Sequence, residues 1–408
     1  MYTYDEIRHL HLEPTTRCNA ACPMCARNSC GSRAPGLALG DLSLEDTKSI
    51  FPPDFLGRLE AIDLCGAYGD PVLTKDLVEI LRYVRSCNPT CSITIYTNGG
   101  IRSAQWWSRL PDVFTQPAKV VFGIDGLGET NAIYRRNVVF DKVMENASSF
   151  LRAGGVARWE FLAFRHNETE IEAARALSVD MGFSQFSVKR TQRFLEPTYD
   201  HVPEFNGVEK NLNMFPIYSG DGAVIGYLEP PRNPALENST VSHIDTLVEE
   251  YGTLDHLFSV TPIECAVLNT CSVFVNARGY TYPCCWTYVQ ATRPALNGFP
   301  PDADRQMYDL VQQHGGFDAI DAKERSLRAV VNGPLFKAIE DSWSCGSVHE
   351  GRLKVCARAC GTRFPAYFDQ FTSVELLPRS LQQTVGVPVA AGRVTERDGG
   401  DSAQGAPG

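Results

Sequence analysis

The chain has 408 residues, 43% apolar and 21% charged, and no run approaches the roughly 18 apolar residues of a membrane span. A globular protein with one large domain and a smaller one is expected, and a membrane protein is not. Its 38 Lys and Arg against 48 Asp and Glu leave a net charge of −10, which speaks against a protein that tracks nucleic-acid phosphates.

The start, MYTYDEIRHLHLE, is mixed and acidic and does not read as a signal peptide, so a cytoplasmic protein is expected. There the 14 cysteines serve as metal ligands or buried thiols more readily than as disulfides. Strand-like apolar or β-branched runs lie at Ile7–Leu12, Leu59–Leu64, Ser92–Thr97, Lys119–Ile124, Trp159–Phe164 and Phe183–Val188. Helical periods follow most of them. Leu77, Ile80, Leu81 and Val84 make one apolar helix face. Another helix is expected from Asn167 as N-cap, with Glu170 three residues on and Gly182 as its stop. Val120 to Ile124 is continuously apolar, as for a strand covered on both faces. Six strand–helix units predict a parallel α/β fold with its chemistry at the carboxyl ends of the strands. The pattern alone leaves an open sheet and a barrel both standing.

Residues 1–195 form this unit. Residues 196–257, with prolines such as those of EPPRNP and many acidic side chains, are expected to connect, either over the site or as a surface linker. Residues 258–365 are expected as a second, cysteine-rich unit and 366–408 as an extension, disordered from about 386. The basic patch VKRTQR, Val188 to Arg193, is read as a solvated loop or strand end rather than a nucleic-acid contact.

Directly after the first strand, EPTTRCNAACPMCARN carries Cys18, Cys22 and Cys25 in the spacing C-x3-C-x2-C. Three thiolates suit an iron–sulfur cluster that keeps one iron open, much as catalytic zinc keeps an open place. Zinc completed by a distant ligand, or free thiols, are the alternatives. In the second unit, CSVFVNARGYTYPCCW, Cys271 to Trp286, reads as a hairpin turning at Gly279 and ending in Cys284 and Cys285. VCARACG adds Cys356 and Cys360. Four ligands from such a set close a zinc or a [4Fe–4S] site.

With these stretches in view, the chain resembles the radical S-adenosylmethionine (SAM) superfamily over about residues 5–190. The trio matches its C-x3-C-x-φ-C signature, with Met24 at φ. CGAYGDP, Cys65 to Pro71, looks like the Gly-Glu-Pro motif that binds the SAM amino group, with Gly69, Pro71 and Asp70 where Glu is usual. Thr97 and Asn98 of TNG lie where the ribose is expected. GIDG, with Asp125, ends the fourth strand and has Gly123 where the family often has Ser. Arg135 matches an arginine that pairs with the SAM carboxylate. The resemblance implies a partial (β/α)6 TIM-like barrel, a SAM-binding [4Fe–4S] cluster on Cys18, Cys22 and Cys25, and cleavage of SAM to a 5′-deoxyadenosyl radical that abstracts hydrogen from an unactivated carbon.

The later cysteines are similar to Twitch and SPASM extensions. A full SPASM set needs a further C-x2-C before, and another cysteine after, the final pair; Cys345 stands alone and none follows Cys360. The resemblance therefore implies one auxiliary [4Fe–4S] cluster, on Cys265, Cys284, Cys356 and Cys360 with Cys271 as competitor, and oxidative chemistry. In sulfatase-maturing relatives an Asp base follows the hairpin cysteine. Here Cys285 stands in that place, and is assigned as a thiol hydrogen donor for an epimerisation. A peptide is the expected substrate, in natural-product maturation. No precursor-binding domain is expected ahead of Cys18, so a separate protein would bring the peptide. A small molecule such as an aminocyclitol or sugar is the alternative, and the acidic insert fits a cationic one. A flavodoxin or ferredoxin is the expected electron donor. An RNA-modifying radical SAM enzyme and a non-catalytic metal scaffold are the remote alternatives.

Overall fold

The computed structural model describes residues 1–113, 117–195, 214–299, 304–364 and 368–376. The expected disordered tail from about 386 and the first part of the insert, 196–213, lie outside the described residues.

Six strands, β1 (His9–Leu12), β2 (Ala61–Leu64), β3 (Ser92–Thr97), β4 (Ala118–Gly123), β5 (Ala157–Leu162) and β6 (Gln185–Lys189), pair in parallel in chain order. Only β3 begins where its apolar run does: β1 and β2 start two residues after Ile7 and Leu59, β4 one before Lys119, β5 two before Trp159 and β6 two after Phe183. Polar residues such as Lys189 complete the strands because their side chains face the interior of the curved sheet rather than the helices.

Alternation sorts the two faces. Leu10, Leu12, Ile62, Leu64 and Ile93 lie against Ile80, Leu81 and Val84 of helix α1 (Leu77–Cys87), which buries the apolar stripe its sequence predicts. Farther along, the rings of Trp107, Phe122, Phe183 and Trp159 stack edge to tilt at centroid spacings of 5.2, 6.0 and 5.5 Å. The opposite face is polar. His9 Nε2 bonds Asp63 Oδ2 at 2.9 Å, and Glu160 pairs with Arg158 at 3.2 Å and Lys189 at 3.0 Å.

Helix α2 (Ile171–Met181) ends on Gly182 at φ +88°, the left-handed stop its glycine predicts. Its start differs from expectation. Asn167 does not cap it; the side chain instead donates to the carbonyls of Asp125 and Leu162 at 2.7 and 2.9 Å, and accepts from Phe164 N at 2.7 Å. The buried amide satisfies three loop groups that a surface cap would leave unpaired.

In the insert, β7 (Phe215–Tyr218) and β8 (Val224–Leu228) form an antiparallel pair, followed by short helices from Ser239 to Val260. Phe215, Ile217, Leu228 and Val241 join the main core. Next, β9 (Ser272–Val275) pairs in parallel with the free edge of β1, and β10 (Thr281–Tyr282) turns back on it around Gly279 at φ +87°. At the other edge β11 (Phe371–Leu376) runs antiparallel to β6. The sheet order is thus β10-β9-β1-β2-β3-β4-β5-β6-β11. β1 and β6 each pair with another strand instead of with one another, so the six-unit barrel is open: the partial (β/α)6 architecture. The hairpin of the cysteine-rich stretch is continuous with this sheet. A separate small apolar cluster joins Ile244, Leu257 and Phe258 to Val348, Ala357 and Phe364. Among the described residues no helix is long and apolar enough to cross a membrane.

Candidate active site and a second cysteine group

A cavity of about 310 Å³ opens at the carboxyl ends of the six strands. Cys18, Cys22 and Cys25 line it, with Gly66–Asp70, Tyr96–Asn98, Gly123, Asp125 and Arg135. The cysteine loop is held from below. Glu13, closing β1 at 0% exposure, accepts from the Tyr68 and Gly69 amides at 2.5 and 3.1 Å and so ties the loop after β1 to the loop after β2. Cys25 N donates to Cys22 O at 3.1 Å, and Asn28 Nδ2 to the same carbonyl at 3.0 Å. Burial pushes the Cys22 thiol up to about 11 and the Cys18 thiol higher, so these sulfurs become thiolates only with a cation to hold.

The residues assigned to SAM separate by placement. Gly69, Asp70, Thr97, Asn98, Asp125 and Arg135 line the cavity; Met24 and Pro71 are not among its lining residues. Met24 is buried, and its carbonyl accepts from Arg193 at 2.7 Å. Asp70 is a brace: Oδ2 accepts from Thr97 Oγ1 at 3.0 Å, Asn98 N at 2.9 Å and Asn98 Nδ2 at 2.8 Å, while Oδ1 accepts from Val72 N at 3.1 Å. Burial raises its carboxyl, opposed by these donors. Asn98 Nδ2 also lies 3.9 Å from Cys18 Sγ, joining the third strand end to the trio. Arg135 Nε donates to Asp125 Oδ2 at 2.5 Å, and Asp125 Oδ1 accepts from Leu162 N at 2.7 Å.

The second group gathers Cys265, Cys284, Cys356 and Cys360. Helix α3 (Cys285–Leu296) starts just after Cys284, and helix α4 (Lys354–Cys360) sets Cys356 and Cys360 four residues apart on one face. Cys265 and Cys360 share a hydrogen bond that lowers the Cys360 thiol to about 7. Cys284 and Cys360 both act electrostatically on Cys265 and on Cys356. Cys284 Sγ lies 3.6 Å from Thr287 Oγ1. The indole Nε1 of Trp343 is buried without a hydrogen-bond partner, yet Trp343 favours the ionised Cys356 beside it. Cys271 sits apart at φ +46°, its thiol directed 3.7 Å to Leu268 O. Four thiols and an orphaned N–H fit a thiolate-held group here, as three thiols do at the cavity. Among the described residues no three His, Cys, Asp or Glu side chains are placed to hold a single metal ion.

Cys285, assigned as hydrogen donor, is half-buried and does not line the cavity; Trp286 and Cys65 do. Burial pushes the Cys285 thiol well up, with Cys284, Cys65 and Glu13 adding to it. The patch Val188 to Arg193 departs from its solvated reading: Lys189 to Arg193 line the cavity, and Gln192 is 4% exposed. Nothing local in the sequence signals this, because it depends on where β6 ends relative to β5. Glu13, Cys65, Tyr96 and Glu160 were missed as well; their signal was position, each lying in the second half of a strand or directly after it.

No protein-family model matches the chain, and no curated protein matches it. Among solved structures it is similar to Streptococcus suis SuiB bound to precursor peptide SuiA, at 14% identity over 86% of this chain and 71% of that one, TM-score 0.46. It is also similar to anSMEcpe with bound AdoMet and Cp18Cys peptide, at 14% identity over 85% and 88%, TM-score 0.48. A third, BtrN in complex with AdoMet and 2-DOIA, is 12% identical over 90% and 98%, TM-score 0.41. These are likenesses of fold.

Proposed function

We propose that the chain is a radical SAM enzyme with one auxiliary iron–sulfur cluster. The observation that carries this reading is convergence: the C-x3-C-x2-C trio and the motif stretches at Gly69–Asp70, Thr97–Asn98, Gly123–Asp125 and Arg135 line one cavity at the carboxyl ends of the parallel strands. A [4Fe–4S] cluster held by Cys18, Cys22 and Cys25 supplies, when reduced, the electron that cleaves SAM and yields the hydrogen-abstracting 5′-deoxyadenosyl radical.

The chain's own residues do the positioning. Asp70 locks the strand ends after β2 and β3, which fixes the Gly69 and Asn98 backbone against the trio. Asp125 orients Arg135, which lines the cavity and would meet a carboxylate there. Cys265, Cys284, Cys356 and Cys360 would hold the auxiliary cluster, with Thr287 and Trp343 as hydrogen-bond donors to its sulfurs. Trp286 lines the cavity two residues from Cys284, which ties the second cysteine group to the cavity wall through the chain. Cys285 would serve as hydrogen donor only through Cys65 or by a rotation toward the cavity. A peptide in natural-product maturation is the substrate we favour, by family analogy. A small molecule such as an aminocyclitol or sugar is the second reading, kept by the polar wall at Glu160 and Lys189, which offers hydrogen bonds to hydroxyl groups. A flavodoxin or ferredoxin would bring electrons in the cytoplasm, and a separate protein would deliver a peptide.

The test is anaerobic reconstitution with iron and sulfide, iron counting, and addition of dithionite and SAM. About eight irons in the wild type, about four after replacing Cys18, Cys22 and Cys25 by Ala, and 5′-deoxyadenosine only from the wild type support the reading. Bound zinc, or no SAM cleavage by iron-loaded protein, rules it out.

A further inference from the structure

At its inner end the cavity carries a group of side chains that the SAM motifs leave unused. Glu160 in the second half of β5 and Lys189 at the end of β6 lie 3.0 Å apart, and both line the cavity with Cys65 and Tyr96. Glu160 is 7% exposed and is shared: its other oxygen pairs with Arg158 at 3.2 Å. Arg158 is in turn held by Ser187 Oγ at 2.9 Å. Three residues past Lys189, Gln192 lines the same cavity at 4% exposure. Its Oε1 is the enclosed atom, without a hydrogen-bond partner among the described residues, which leaves the amide nitrogen toward the cavity.

We infer that Lys189 and Gln192 form a substrate subsite for a carboxylate. The sign follows from how Glu160 is shared. An incoming carboxylate can take the Lys189 ammonium while Arg158 keeps Glu160 neutralised, so no buried charge is stranded. An incoming cation would instead be the third positive group around one carboxylate. Arg190 adds to the same wall, fixed by Asp369 at 2.6 Å. Gln192 donates its amide nitrogen to the second carboxylate oxygen. This sign is opposite to that of the cationic substrate expected from the acidic insert. The subsite deepens the proposed function and rests on it for the identity of the cavity. The carboxylate comes either from a free small acid or from a peptide.

The experiment uses the reconstituted full chain with SAM present and two matched pairs of probes: glutarate against glutaramide, and acetyl-Ala-Glu-Ala-amide against acetyl-Ala-Gln-Ala-amide. Binding is read by calorimetry, and SAM cleavage is read separately. At least one acid probe should bind roughly 10- to 100-fold more tightly than its amide, and Lys189→Met should abolish that preference. Gln192→Leu, which touches no ion pair, should weaken the acid probe about tenfold, and thermal melting checks that both variants fold. Preference for glutarate points to a small acid, and preference for the tripeptide points to a peptide. Acid and amide binding equally, neither acid binding at millimolar concentration, or an acid preference that survives Lys189→Met overturns the subsite. An acid preference without SAM cleavage keeps the subsite and sinks the radical reading.

Discussion

A methyl group on Gly123 would overlap the guanidinium of Arg135, the same group that Asp125 holds at 2.5 Å. The serine that the family resemblance expects at this place would therefore not add a contact here; it would compete with Arg135 for space.

From this, Gly123→Ser should push Arg135 off Asp125 and weaken SAM binding by roughly tenfold or more, the scale of one charged hydrogen bond. Calorimetric titration with SAM on the iron-loaded protein reads it. Unchanged affinity would mean that Arg135 swings aside without loss and that its pairing with Asp125 does not orient it.

Glu13 sets a pH dependence. Burial raises its carboxyl to about 7, although two backbone amides donate to Oε1, and Oε2 has no partner. The folded protein therefore holds the proton more tightly than the unfolded chain, whose Glu titrates near about 4.3. Stability from this group is present below that value and falls as pH rises through about 7, by at most roughly 4 kcal/mol. Glu13→Gln should flatten the fall. Urea unfolding at about pH 5 and about pH 8 compares the two proteins, and an equal decline in both would remove Glu13 as its source.

Asp70 is surrounded by donors, so its role is readable in stability. In Asp70→Asn one acceptor position becomes a donor facing other donors, which should cost about 1–3 kcal/mol in urea unfolding. Asp70→Glu, the residue usual in the motif, should also lose stability, because the longer arm carries the carboxylate past Thr97 and Asn98. A Glu variant as stable as wild type would show that the loop re-forms around it.

The second cysteine group predicts which thiols matter to iron. Cys284→Ala and Cys356→Ala should each lower reconstituted iron from about eight to about four, whereas Cys271→Ala should leave it near eight. The assignment turns on position: Cys271 points to the Leu268 carbonyl while the other four act on one another. Loss of four irons in Cys271→Ala, with Cys356→Ala unaffected, would exchange the ligands.

What could be read directly from the chain was local. Apolar runs of four to six residues located all six parallel strands to within a few positions, because each covers one or both faces of a sheet and burial imposes its period. The glycine that ends α2 and the Gly279 turn were legible for the same reason, since a left-handed backbone needs glycine within the segment itself. The cysteine trio was legible because its spacing is contained in one loop.

Only the tertiary structure decided which edges pair and what each polar side chain meets. Ser272–Val275 docks on β1 from more than 250 residues away, and β11 closes on β6 from more than 180 residues away. Hydrophobic period reports that a strand is covered, not by which partner. Asn167 traded a helix cap for the Asp125 and Leu162 carbonyls, and Lys189 and Gln192 left an expected solvated patch for the cavity wall. A polar group's position is set by the nearest buried group that can satisfy it, and in this sheet those groups come together only once six strand ends converge.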